Sequence, residues 1–104
     1  MTRPEPEPDP YARLAEEALH AGVRADQALQ QATAAQRSAA DSLQRSAESH
    51  ERTAISYEQA AERSEQSAMY LQHAARHRAY ADEDRQMALR LRHVAEGNAA
   101  GADR

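Results

Sequence analysis

The stretch Ala39-Ala40-Asp41-Ser42-Leu43-Gln44-Arg45-Ser46-Ala47-Glu48-Ser49-His50-Glu51-Arg52-Thr53-Ala54-Ile55-Ser56-Tyr57-Glu58-Gln59-Ala60-Ala61 decides the fold. Read in steps of seven, Ala39, Ser46, Thr53 and Ala60 are all small. The column runs without exception back through Ala32, Ala25 and Ala18 and forward through Ser67, Ala74, Ala81, Ala88 and Ala95. Three residues before these members lies a second column carrying Leu29, Leu43, His50, Tyr57 and Leu71. The resulting 3-4 spacing is that of a coiled-coil seam with larger residues at one core position. A third column, Ala40, Ala47, Ala54, Ala61, Ala68 and Ala75, widens the small-residue face. Such side chains let helix axes approach at the short end of the usual ~8 to 10 Å range, which favours intimate antiparallel pairing over a thick bundle.

So strict a period predicts no sharp break from about Asp26 to Glu96, because most turns reset the phase of a heptad. One helix from Tyr11 to Glu96 would be roughly 130 Å long. A rod of that kind is not stable alone: it folds back as a hairpin of two or three helices, or it pairs with other copies or a partner.

Composition points the same way. The 104 residues include twenty-five Ala but only seven Leu, two Val, one Ile and no Phe or Trp, so a thick globular core is excluded. Thirteen Arg, no Lys and seventeen acids give a net charge of -4, which argues against nonspecific binding to nucleic acid or anionic membranes. The absence of Cys removes disulfides, thiolate catalysis and Cys-ligated metal sites. No apolar leader and no membrane-length apolar run is found, and a soluble, cytoplasmic protein is expected. All four prolines fall at Pro4, Pro6, Pro8 and Pro10, predicting a disordered, extended tail over residues 1–10. Residues 11–96 read as the α-helical coiled-coil region and 97–104 as a frayed tail after a stop at Gly97-Asn98. Asp9 is placed to cap the first helix with Pro10 at its first position. Candidate interruptions are Gly22 with Asp26 behind it, Ser38-Ala39-Ala40-Asp41, and the acidic Asp82-Glu83-Asp84.

The most chemically distinctive patch is a stripe at 3-4 spacing: Tyr70, His73, His77, Tyr80, Asp84, Met87, Leu91 and Val94. His73 and His77, four residues apart on one helix face, could chelate a divalent metal with ligands from elsewhere. Asp84, two turns on, is too far to join them from the same helix. Glu17-Ala18-Leu19-His20 has the spacing of di-iron bundle ligands but occurs once. His50 falls in the larger-residue column, where a polar group fixes register or partner choice. Acids at Glu48, Glu51, Glu58, Glu62 and Glu65 face a basic zone of Arg76, Arg78, Arg85, Arg90 and Arg92, a charge asymmetry able to align antiparallel helices. Neither a nucleophile elbow nor a phosphate loop is present.

Tyr80-Ala81-Asp82-Glu83-Asp84, together with the size, helicity and lack of Cys, resembles the small helical-hairpin substrates of type VII secretion, whose export signal is a Tyr followed four residues later by an acid. That resemblance implies a hairpin and export. The residues themselves lead to a different expectation: an all-α, Ala-rich coiled coil or helical hairpin that binds itself or a protein partner. Leu29, Leu43, His50, Tyr57, Ala60, Leu71, Ala74, Ala81 and Ala88 form the expected interface. No catalysis, cofactor, small-molecule substrate, nucleic acid or membrane partner is expected. The rival expectation is a His-dependent metal or pH sensor built on His73 and His77.

Overall fold

A computed structural model describes Pro4 and residues 9–102, and the expectation for the rest of the N-terminal tail lies outside the described residues. The chain forms two helices, α1 (Pro10–Ala61, 52 residues) and α2 (Ser67–Ala102, 36 residues), packed antiparallel as a hairpin over the part of α1 that follows residue 28. The fold class read from the sequence is therefore found, as an all-α helical hairpin. At 1.5 Å per residue α1 is about 78 Å long. The radius of gyration, 26.8 Å, is about twice the ~13 Å of a globular domain of 100 residues.

Helix α1 starts as the sequence suggests. Asp9 is its N-cap, accepting a hydrogen bond from the Tyr11 amide at 3.0 Å, and Pro10 occupies the first position, where no amide donor is required. Gly22, Ser38–Asp41 and Asp82–Asp84 interrupt neither helix, and α2 continues through Gly97 and Asn98 to Ala102 instead of fraying at 97. An isolated Gly costs a helix about 1 kcal/mol, too little to end one flanked on both sides by strong helix formers.

The expectation of no break between Asp26 and Glu96 is corrected. The chain reverses at Glu62-Arg63-Ser64-Glu65-Gln66, with neither Gly nor Pro in the turn. Ser64 makes it: its hydroxyl accepts the Gln66 amide at 3.0 Å, and Gln66 in turn offers its carbonyl to the Met69 and Tyr70 amides at 3.1 and 3.2 Å. This local side-chain bond competes with helical hydrogen bonding, as Ser does near helix ends. All described residues keep negative φ.

The turn also shifts the phase. On α1 the buried residues are Thr33, Ala40, Ala47, Ala54 and Ala61, members of the third column; on α2 they are Ala74, Ala81, Ala88 and Ala95, members of the first. The continuous column of the sequence is thus divided, with its α2 half inside and its α1 half on the outer side. Among the described residues no large side chain is fully buried. Each buried methyl is worth roughly 0.8 kcal/mol, so the pairing rests on many small contacts and on high helix propensity.

Candidate functional site

Each helix places a larger residue three or four positions from every buried small one, and the antiparallel arrangement stacks these larger residues in layers. Tyr57 meets Tyr70 with ring centroids 6.0 Å apart, and His50 meets His77 at 5.1 Å. One partner steps back by seven as the other steps forward, so the same register brings Leu43 opposite Asp84 and Gln36 opposite Leu91. Toward the far end Asn98 donates to the Gln36 side chain at 3.1 Å.

Tyr57, Tyr70, His73, His77, Tyr80 and His50 join in a single cluster spanning both helices. Tyr57 stacks on both His73 (5.1 Å) and His77 (5.7 Å), and Tyr80 packs against His50 at 5.4 Å and edge-on to His77 at 5.9 Å. His50 Nδ1 lies 2.8 Å from His77 Nδ1, a hydrogen bond that needs a proton on one nitrogen and a lone pair on the other. The opposite nitrogen of His50, Nε2, is 3.9 Å from Asp84 Oδ2, an oxygen shielded from solvent and without a hydrogen-bond donor. Of the pair expected to chelate metal, His77 therefore commits its Nδ1 to His50 and His73 stacks on Tyr57. Among the described residues no group of three or more His, Asp or Glu side chains is arranged to hold an ion.

The two edges of the hairpin differ. Four residues after buried positions, Glu58 pairs with Arg78 and Glu51 with Arg85 at 2.5 Å; Arg92, in the same place on α2, reaches Asp41, one residue after Ala40, at 3.2 Å. The hydrogen bond from Arg85, and then the charges of Arg85 and Arg78, hold the Glu51 carboxyl below its ordinary value against the cost of leaving water. Arg85 is raised by the same hydrogen bond and by the charges of Glu51, Asp82 and Glu48. This is the charge alignment expected of the acidic and basic zones. One residue before the buried positions, the other edge carries Ala39, Ser46, Thr53 and Ala60 on α1 and His73, Tyr80, Met87 and Val94 on α2, with no Asp, Glu or Arg among them. Tyr80, Met87 and Val94 are each 41 to 50 % exposed there.

Of the nine expected interface residues, Ala74, Ala81 and Ala88 are buried between the helices, and Leu29, Leu43, His50, Tyr57 and Ala60 are half-buried in or beside the α1·α2 seam, Ala60 on its uncharged edge. Leu71 points outward, half exposed.

Helix α1 outruns α2. Every residue from 11 to 28 is exposed, including Tyr11, Leu14, Leu19 and Val23. A second 3-4 pattern starts in this overhang and follows the whole helix: Tyr11, Leu14, Ala18, Ala21, Ala25, Ala28, Ala32, Ala35 and Ala39, then Ser42, Ser46, Ser49, Thr53, Ser56 and Ala60. None of its positions is charged. The heptad column alone does not separate this outer stripe from the inner seam; the signal for it is the second small-residue column at the same spacing, Ala21, Ala28, Ala35, Ser42, Ser49 and Ser56. Where α2 ends against α1, an open cleft of about 320 Å³ is lined by Leu29, Gln30, Thr33, Ala34, Arg37, Asn98 and Ala99.

No helix among the described residues is long and apolar enough to cross a membrane. No family model, curated protein or solved structure matches the chain.

Proposed function

We propose that the protein is a non-enzymatic, cytoplasmic interaction protein that binds through the outer stripe of α1, and that its partner is a second copy of the chain. The observation that carries this reading is the unequal length of the helices, which leaves residues 11–28 of α1 exposed, with no packing partner among the described residues. That overhang is held as helix by its propensity and its continuity with the paired part of α1, with no packed face of its own. Its exposed apolar side chains gain about 25 cal/mol for each Å² removed from water.

A second copy supplies complementary shape and charge. When two α1 helices are laid antiparallel about Ala21, the heptad positions set Tyr11 opposite Ala32 and Leu14 opposite Ala28, large against small, with Ala18 opposite Ala25 in close approach at the centre. On the flank of the same register, Glu17 of each chain stands beside Arg24 of the other, an isologous pair of contacts. Tyr80, Met87 and Val94 on the uncharged edge extend the apolar surface next to the stripe.

Light scattering on a sizing column over a range of concentrations tests this. The expected result is a helical dimer that dissociates on dilution, a shift toward monomer in Glu17→Arg, and recovery of the dimer when Arg24→Glu is added to that variant. A chain that stays monomeric at every concentration overturns the second copy as partner. A dimer indifferent to Glu17→Arg overturns the register.

A further inference from the structure

We propose that the His50–His77 pair, backed by Asp84, is an acid-operated latch that takes up one proton with the hairpin closed and loosens the hairpin on taking up a second. The geometry counts the protons. With both rings neutral, His77 Nδ1–H donates to His50 Nδ1 across 2.8 Å, and His50 carries its own proton on Nε2, facing the buried Asp84 oxygen 3.9 Å away. A first added proton settles on the free His77 Nε2 without disturbing that bond, and the Asp84 carboxylate offsets its charge. A second must occupy the lone pair of His50 Nδ1. Two N–H groups then point at each other, and two positive rings stand with centroids 5.1 Å apart.

The surroundings of the pair are defined on both helices. From α1 come Tyr57, stacked on His77, and Glu51, which is engaged by Arg85 on the charged edge. From α2 come Asp84, Tyr80 against both rings, and His73 and Tyr70 reached through Tyr57, with Arg78 turned to Glu58. Asp84 is the carboxylate placed against His50, and it can balance one added proton but not two. In the unfolded chain both rings take up protons independently. The folded pair resists the second, so the unfolded state binds more protons and stability falls as pH falls. The interval between pH 8 and 5, where imidazoles change charge, lies above the ordinary carboxylate range in which Glu51 contributes.

The test compares thermal melts of the full chain at pH 8 and pH 5 with those of His77→Gln and Asp84→Asn, alongside an NMR titration of the histidine rings. The melting temperature of the unmodified chain is expected to fall by on the order of 5 °C. His77→Gln, which cannot hold the second charge, should fall by less than half as much, and Asp84→Asn, lacking the offsetting carboxylate, by more. His50 and His77 are expected to titrate in two separated steps, with exposed His20 and His93 as internal references. A fall in His77→Gln equal to that of the unmodified chain overturns the latch, as does a fall in Asp84→Asn no larger than it. Should His77→Gln fail to fold, the ring titration decides: one common step for all four histidines overturns the proposal.

Discussion

Ala81 and Ala60 belong to the same seven-residue column, yet Ala81 is buried between the helices while Ala60 sits on the uncharged edge. The difference sets a measurable contrast. Ala81→Leu forces three extra heavy atoms into a closely packed seam and should cost about 1 to 3 kcal/mol, which at roughly 4 to 8 °C per kcal/mol gives a clear drop in melting temperature. Ala60→Leu, at a half-buried position on the rim of the seam, should cost clearly less. Equal losses at the two sites, read by thermal melts, would contradict the division of the column. The sequence identified Ala74, Ala81 and Ala88 as seam residues because the heptad is strict. It could not exclude Ala60, since Ala lines several faces of α1 and hydrophobicity does not choose among them. The aromatic cluster was legible only in halves. Tyr70, His73, His77 and Tyr80 stood out on one helix and His50 and Tyr57 on the other, and only the position of the turn brings residues 50 and 77 within hydrogen-bond distance.

At the scale of elements, the helices were readable and the turn was not. Long runs of Ala, Arg, Gln and Glu between a Pro-marked start and a Gly-rich end dictate helix whatever packs against it. Glu62-Arg63-Ser64-Glu65-Gln66 is itself a good helical composition, and the one local cue is Ser64, which replaces a large residue between Tyr57 and Leu71 in the second column. Pairing of the elements depends in part on the charged edge, and its pH dependence has a definite sign. The Glu51 carboxyl is held below its ordinary value of 4.5. Its contribution is therefore complete above that value and is lost as pH falls through the lowered one. Glu51→Gln should lower the melting temperature slightly at pH 7, and the gap to the unmodified chain should narrow as the pH is taken below 4.5 and Glu51 is itself neutralised. A gap that does not change as the pH falls would assign the effect to packing of the side-chain stem instead of the Arg85 bond.

For the whole molecule, the unequal helices separate two properties that a globular domain would mix. Residues 29–102 contain every layer of the seam, and residues 11–28 contain none. Removal of residues 1–24 should leave the melting temperature of the hairpin within a few degrees of the full chain while abolishing concentration-dependent mass in light scattering. A large loss of stability in that truncation would mean the overhang supports the hairpin itself.

The turn has a topological consequence. Extended as helix through residues 62–66, the outer stripe of α1 and the inner seam of α2 fall on one line, because both follow the unbroken column from Ala18 to Ala95. The hinge that interrupts this line consists of helix-forming residues with no glycine or left-handed backbone to resist straightening. Were the hinges of two copies to straighten together, their α2 helices would be free to trade places and rebuild the same His–His and Tyr–Tyr layers between molecules, as an interlocked dimer that separates only as fast as its hinges bend again.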